Sequence, residues 1–272
     1  MLKKDASMLT GGLTQTSKLS CKSYSLPTEA CQTGFKMSKI AGSVCSVCYA
    51  NNGFYVMYQN AIKPAQFARL DSINDPVWVD AIVTLIGLDP YFRWHDSGDL
   101  QSLEHFEKIV LVSTLTPKTR HWLPTREYSI IKAFIAKGGI IPKNLIVRLS
   151  GMYPDKPVQV PVSLQGVKGI TTSNVHTVKP LGRACKAPAQ NGECRDCRDC
   201  WTDITISYLM HWGEIMKHTE HAYINAGYRY AKAKNEHERL QRARLIRSML
   251  SEEIDEDKNR ARQLVERGRV EA

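Results

Sequence analysis

The sequence predicts an α/β protein: a partial (βα) barrel of about five to six parallel strands, followed by a helical C-terminal extension. Strand-like runs alternate with helix-like runs after the first cysteines, and this alternation is typical of βαβ units. The strand-like runs end in polar residues, whereas the last part of the chain has a helical pattern and includes a basic stretch. We therefore expect a cysteine-rich α/β domain over residues 1–212 and an extension over residues 213–272.

The elements follow from hydrophobic periodicity and from the residues that interrupt it. Apolar residues at helical spacing predict four helices, in VMYQNAIKPAQFARLDSI, DPVWVDAIVTLIG, SLEHFEKIVLVSTL and REYSIIKAFIAKGG. Short apolar runs predict five strands, in YFRWHDSGD, TRHWLPT, LIVRLSG, GITTSNV and ITISYLMHW. Asp89-Pro90 separates a helix from the first of these strands, and Gly138-Gly139 stops the last of these helices.

Polar side chains recur where the predicted strands end. They are His95, Asp96, Ser97 and Asp99 on the first strand, Thr125 and Arg126 on the second, Arg148 and Ser150 on the third, and Thr172, Ser173 and Asn174 on the fourth. Functional groups of a parallel barrel collect at the C-terminal ends of its strands. Solvated strand ends are the alternative, but recurrence on four successive strands predicts a shared pocket.

Seven of the eight cysteines fall into two sets with metal-ligand spacing. Cys31, Cys45 and Cys48 form the N-terminal cysteine set. The C-terminal cysteine set comprises Cys185, Cys194, Cys197 and Cys200. A disulfide framework is the alternative, but the start of the chain, MLKKDASMLTGGLTQ, lacks the apolar core of a secretory signal. Reduced thiols in the cytoplasm, available to metal, are therefore the prediction.

The two cysteine sets differ in how many ligands they supply. Four thiolates close a tetrahedral or cubane site, whereas three leave one position open for chemistry. The C-terminal cysteine set is therefore expected to be structural or an electron relay, and the N-terminal set reactive. Cys194-x2-Cys197-x2-Cys200 favours a [4Fe–4S] cluster, with zinc as the alternative metal. Whether the sets build one cluster or two remains open at this point.

Charge and hydropathy limit the partners of the chain. The 272 residues carry a formal net charge of +10, which favours a polyanion such as nucleic acid. No run approaches the roughly 20 apolar residues of a membrane span. In the C-terminal extension, arginines flank a narrow apolar stripe of Leu240, Leu245, Met249 and Leu250. Such a helix either docks through its stripe or follows phosphates with its arginines.

These motifs resemble two groups of proteins. VCSVCYA with a cysteine upstream resembles the cluster loop of radical S-adenosylmethionine enzymes, although thirteen residues separate Cys31 from Cys45. Either this insertion loops out, or Cys31 binds elsewhere. The wider pattern adds SLP, WHDSGD and a late Cys-x2-Cys-x2-Cys-Trp, and spans roughly residues 20 to 215. This pattern resembles a family of phage proteins called gene product 88, which implies a location in the host cytoplasm.

The resemblance to radical S-adenosylmethionine enzymes implies roles for the strand-end residues. It implies that Asp96, Ser97 and Asp99 contact the amine and ribose of S-adenosylmethionine. It places Arg126 and Arg148 against a carboxylate or phosphate, with Ser150 as a further cofactor contact. The sequence thus predicts an iron–sulfur protein that is a candidate enzyme, or else a metal-stabilised nucleic-acid-binding protein without catalysis.

Overall fold

A computed structural model of the protein describes residues 1–16, 18–51, 55 and 58–210. The predicted extension, residues 213–272, lies outside the described residues, so its helical structure and its role in binding nucleic acid stay predictions. Among the helices that the structure describes, none is long and apolar enough to cross a membrane.

Eight strands form one sheet. They are β1 (Thr14–Gln15), β2 (Lys22–Tyr24), β3 (Tyr91–Trp94), β4 (Arg120–Thr125), β5 (Leu145–Ser150), β6 (Ile170–His176), β7 (Arg183–Ala184) and β8 (Ile206–Leu209). Their order across the sheet is β1-β2-β3-β4-β5-β6-β8-β7. The pairings from β2 to β7 are parallel, and β1 pairs antiparallel with β2. The α/β class with a mostly parallel sheet is therefore confirmed.

The sheet differs from the prediction in its number of strands. The five predicted strands correspond to β3, β4, β5, β6 and β8, whereas β1, β2 and β7 were not predicted. These three strands have only two or three residues each, which is too short for a period-two pattern to stand out. The sheet is open, with β1 and β7 at its two edges. The finer prediction of a partial barrel stays a prediction.

The described residues include six α-helices. They are α1 (Lys3–Thr10), α2 (Gln32–Ser38), α3 (Gln59–Ser72), α4 (Trp78–Ile86), α5 (Leu103–Leu115) and α6 (Tyr128–Ala136). The last four match the predicted helices. Helix α5 begins after Ser102, whose hydroxyl accepts a hydrogen bond from the His105 amide at 3.1 Å. Helix α6 ends before Gly138, which has the positive φ of +81° that a left-handed helix end requires.

The two faces of the sheet are covered differently, because side chains alternate along each strand. Phe92 and Trp94 of β3 lie in the main hydrophobic core, together with Trp78 of α4 and Phe106 of α5. The opposite face carries a second hydrophobic cluster. Its members are Leu19, Cys21, Trp122, Cys200, Trp201 and Ile206, with Tyr91, Cys185, Cys194, Ile204 and Tyr208 packed against them. Cys185, Cys194 and Cys200 of the C-terminal cysteine set therefore pack against the sheet face opposite the main hydrophobic core.

Candidate metal and cofactor site

The segment that carries the N-terminal cysteine set lies over the carboxyl ends of the strands. Its Val44 amide donates to the carbonyl of Met152, just beyond β5, at 2.9 Å. The hydroxyl of Tyr49, which follows Cys48, donates to the carbonyl of Asp96 beyond β3. These bonds place the cysteines at the edge where a parallel sheet collects functional groups.

Helix α2 lies inside this segment and is fixed by a buried carboxylate. Glu127, just beyond β4, accepts hydrogen bonds from the Thr33 amide at 2.7 Å and from its hydroxyl at 2.6 Å. Thr33 is in the first turn of α2, where backbone N–H groups lack partners within the helix. Seven of the thirteen residues between Cys31 and Cys45 form this helix, so the insertion between the two cysteines has helical structure of its own.

The thiols of Cys31 and Cys45 converge beside Gly34. A Cβ at Gly34 would lie 3.6 Å from the Cys31 sulfur and 3.8 Å from the Cys45 sulfur, and 3.1 Å from the Cys31 Cβ. Burial raises the pKa of Cys31, and negative charge at Asp99, Cys48 and Cys45 raises it further. Burial also raises the pKa of Cys45, while the positive charge of Arg126 lowers it. The fold thus brings the three predicted thiols of this set into one neighbourhood.

Asp99 ties the end of β3 to the end of β4. Its Oδ1 accepts from the Thr125 hydroxyl at 2.6 Å and from the Leu100 amide at 2.8 Å, and its Oδ2 accepts from the Arg126 amide at 2.8 Å. Burial raises the pKa of Asp99 to about 6, although these hydrogen bonds oppose the rise. Both carboxylate oxygens are therefore engaged within the protein.

Ser97 and Asp96 are in contrasting situations. The Ser97 hydroxyl donates to the Leu26 carbonyl at 2.6 Å and accepts from Gln66 Nε2 at 3.0 Å. Asp96 Oδ2 accepts from the Tyr55 hydroxyl at 3.0 Å, but its buried Oδ1 has no hydrogen-bond partner among the described residues. Because buried carboxylate oxygens normally accept hydrogen bonds, Asp96 retains acceptor capacity for a ligand.

The remaining predicted cofactor residues mostly contact backbone. Arg126 Nε donates to the Gly151 carbonyl at 3.2 Å. Ser150 accepts at its carbonyl from the Tyr128 hydroxyl at 2.7 Å. The guanidinium of Arg148 is fully buried, and its described bonds are to backbone carbonyls of the β6 strand and of the segment around Cys200. Cofactor contacts by these three residues stay predictions.

His95 has a strained backbone and an unsatisfied side chain. Its φ of +49° is rare for a residue with a Cβ, and both ring nitrogens are buried without a hydrogen-bond partner in the part of the chain that the structure describes. Burial lowers the pKa of His95 well below its usual value, and the charges of His105 and Arg93 act in the same direction. The imidazole is therefore neutral at pH 7. Such strain at a strand end is frequent in functional sites.

The C-terminal cysteine set is held by strand β8 and by the segment before β2. The Cys194 amide donates to the Lys18 carbonyl at 2.9 Å, and the Cys185 amide donates to the Ser207 carbonyl at 2.8 Å. The sulfur of Cys200 lies 3.3 Å from the Tyr208 hydroxyl. Burial raises the pKa of Cys194, and negative charge at Cys185 and Cys197 raises it further. The members of this set are therefore close enough to influence one another.

Two further residues belong to these neighbourhoods although the sequence did not single them out. Cys21, which has no partner at ligand spacing, is buried in the second hydrophobic cluster with Cys194 and Cys200. Glu127 directly follows Thr125 and Arg126, so the polar run at the end of β4 was its only signal in the sequence. In the described part of the chain, no group of three or more His, Cys, Asp or Glu side chains is arranged so that it could hold a metal ion.

Comparison with known proteins identifies a family. No curated protein and no solved structure matches the chain. Nothing in these comparisons supports the resemblance to radical S-adenosylmethionine enzymes. The family model described as gene product 88 matches residues 1–203 and includes both cysteine sets. The protein therefore belongs to the gene product 88 family of phage proteins.

Proposed function

We propose that the protein is an iron–sulfur protein that binds S-adenosylmethionine at the carboxyl edge of its sheet. The observation that carries this proposal is the convergence of the Cys31 and Cys45 thiols in the space that Gly34 leaves beside the strand ends. Three thiolates supply three ligands and leave one iron of a cubane open. The six parallel strands β2, β3, β4, β5, β6 and β8 follow one another across the sheet, as a partial barrel requires.

The residues of the N-terminal cysteine set fit a [4Fe–4S] cluster in their donor chemistry. A cubane binds each thiolate through a different iron, so its ligands surround the cluster and do not meet at one ion. A side chain at position 34 would enter the space between two of the sulfurs, which glycine leaves free. The cluster, when bound, supplies one-electron redox chemistry that amino acid side chains lack.

Side chains around the site position the cysteine ligands of the cluster and would bind S-adenosylmethionine. Glu127 fixes the first turn of α2 and thereby the position of Cys31 at its N-terminal end. The positive charge of Arg126 favours the thiolate form of Cys45, which is the form that binds metal. Asp96 Oδ1 would accept a hydrogen bond from the ammonium group of S-adenosylmethionine, because it is the carboxylate oxygen there without a described partner.

The bound iron should be divided between two centres, one at each cysteine set. After anaerobic reconstitution with iron and sulfide, the variant with alanine at Cys31, Cys45 and Cys48 should contain about four irons fewer than the wild type. Its remaining iron should stay with the C-terminal cysteine set. The measurements are iron and sulfide content per chain and the absorbance of the brown protein.

A reciprocal variant controls for nonspecific loss of iron. Alanine at Cys185, Cys194 and Cys197 should remove the other centre and leave the N-terminal one. Loss of all iron in either variant would indicate a single shared site. A colourless wild type with stoichiometric zinc would overturn the proposal and favour metal that only stabilises the fold.

Asp96→Asn should weaken the binding of S-adenosylmethionine to the cluster-loaded protein by about tenfold or more, because a neutral amide lacks the charge that attracts an ammonium group. Isothermal titration calorimetry measures this affinity. The melting temperature should change by only a few degrees, because Tyr55 can also donate its bond to an amide oxygen.

The exposed Asp80 of helix α4 provides the matched control. Asp80→Asn makes the same change of charge and should leave the affinity unaltered. Absence of binding by the loaded wild type would remove S-adenosylmethionine from the proposal.

A further inference from the structure

Arg93 lies on the sheet face that the C-terminal cysteine set covers. It is paired in register with Trp122 of β4, so the two side chains share that face. Its guanidinium carbon lies 4.4 Å from the centre of the Trp122 ring, which is a cation–π contact. Its Nε is buried without a hydrogen-bond partner among the described residues. The mechanism proposed above gives this cation no role.

On one side, Arg93 reaches the N-terminal cysteine set. Its Nη2 donates to the Tyr49 hydroxyl at 3.4 Å. Tyr49 directly follows Cys48 in the chain, and its own hydroxyl donates to the Asp96 carbonyl. The guanidinium is therefore one side chain away from both the cysteine segment and the strand end that forms the proposed ligand site.

On the other side, Arg93 connects to the C-terminal cysteine set through aromatic rings. The ring of Trp122 packs edge-on against Trp201 at a centroid distance of 5.4 Å. Trp201 directly follows Cys200 in the chain, and its indole N–H donates to the Phe92 carbonyl at 3.0 Å. Tyr49, Arg93, Trp122 and Trp201 thus form a continuous series of contacts between the two cysteine sets.

The positive charge of Arg93 acts on thiols of the C-terminal cysteine set and on Cys21. Burial raises the pKa values of four thiols, and the positive charge of Arg93 lowers each of them. The four are Cys21, Cys185, Cys194 and Cys200. Burial lowers the pKa of Arg93 itself, but the charges of neighbouring groups, Asp96 among them, raise it more, so that it lies above its ordinary value. The guanidinium is therefore charged at neutral pH.

We propose that Arg93 is a positioning residue that couples the two cysteine centres through the contacts of its single positive charge with Tyr49 and Trp122. This inference rests on the proposed function, because it assumes that both sets hold clusters. Each one-electron reduction adds one negative charge to a centre. Because the same cation lies between them, it stabilises the reduced form of both.

Redox titration of the reconstituted protein tests the coupling. Dithionite supplies the electrons, one to each centre, and electron paramagnetic resonance follows the two reduced clusters separately. Arg93→Gln should decrease the equilibrium constant for reduction of both centres at least tenfold, which is about 59 mV for one electron. Arg93→Lys keeps the charge and should stay close to the wild type. Arg120→Gln, which removes an exposed charge from β4, should change neither centre.

A second variant keeps the proposal testable if Arg93→Gln does not fold. Tyr49→Phe removes the hydroxyl that holds Arg93 towards the N-terminal cysteine set, so it should shift the N-terminal centre and spare the other. Equal effects of Gln and Lys at position 93, or a shift confined to one centre in Arg93→Gln, would contradict the coupling. Failure of the wild type to bind iron overturns the proposed function and this inference together, whereas normal iron content with unchanged potentials overturns the inference alone.

Discussion

Replacing Arg148 by methionine is expected to lower the free energy of unfolding by about 3–5 kcal/mol, because four buried or half-buried backbone carbonyls lose a charged donor at once. The Arg148 guanidinium donates to the carbonyls of Thr172 and Ile204 at 2.7 Å each, of Thr202 at 2.8 Å and of Cys200 at 3.2 Å. Methionine fills a similar volume but cannot satisfy these oxygens. The segment that holds Cys200 should therefore detach from the sheet first.

Urea denaturation followed by tryptophan fluorescence measures this loss. Arg120→Met removes an exposed arginine from the neighbouring strand β4 and should change the free energy of unfolding by less than about 0.5 kcal/mol. A loss below about 1 kcal/mol in Arg148→Met would show that water replaces the guanidinium at the carbonyls.

Lowering the pH from 7 to 5 should destabilise the metal-free protein by about 4 kcal/mol, since one pKa unit corresponds to 1.36 kcal/mol. Burial lowers the pKa of both His105 and His121 to about 3, from an ordinary value of 6.5, and also lowers the pKa of His95 well below that value. Their contribution to stability is therefore complete above pH 6.5 and is lost as the pH falls towards 3. Burial raises the pKa of Asp99 to about 6, so its contribution grows as the pH falls through 6 and offsets part of the loss.

The surroundings of His105 and His121 explain why their imidazoles stay neutral. His105 Nδ1 accepts a hydrogen bond from the Gln101 amide at 3.3 Å, and its ring packs against Trp78. His121 Nε2 lies 2.8 Å from the Thr116 hydroxyl, and its ring stacks on Trp94. No carboxylate bonds either ring in the described part of the chain. Urea midpoints at pH 7 and 5 check the prediction.

Single variants separate the histidine contributions. His121→Phe should remove about 2 kcal/mol of the difference in stability between the two pH values, and Asp99→Asn should increase that difference. A pH dependence that stays the same in both variants would contradict the assignment.

The sequence was informative about long elements and uninformative about long-range contacts. Strands such as β4 and β5 have six residues each, so their apolar runs are visible against the flanking helices. The two-residue strands β1 and β7 exist only because a neighbouring strand offers hydrogen bonds, and no local pattern records that. The same limitation hides the contact of Arg93 with Tyr49 and Trp122, which come from three separate segments.

The polar residues at the strand ends show that residue type alone does not decide which side chains are available to a ligand. Asp96 and Asp99 are three residues apart and chemically identical, and the sequence assigns both to ligand binding. In the structure, Asp99 accepts three hydrogen bonds from the protein, whereas Asp96 keeps one oxygen without a described partner. Their difference depends on Thr125 and the Arg126 amide, which approach Asp99 only when β4 pairs with β3.

The bond between Glu127 and the first turn of α2 has a consequence for how relatives of this protein can be recognised. A helix advances about 1.5 Å per residue along a rigid axis, so a turn added to or removed from α2 lengthens or shortens a spacer without loosening its fixed start. We therefore expect relatives to differ in the number of residues between Cys31 and Cys45. A search that demands fixed cysteine spacing would pass over such relatives, whereas a glutamate two residues beyond strand β4 would still identify them.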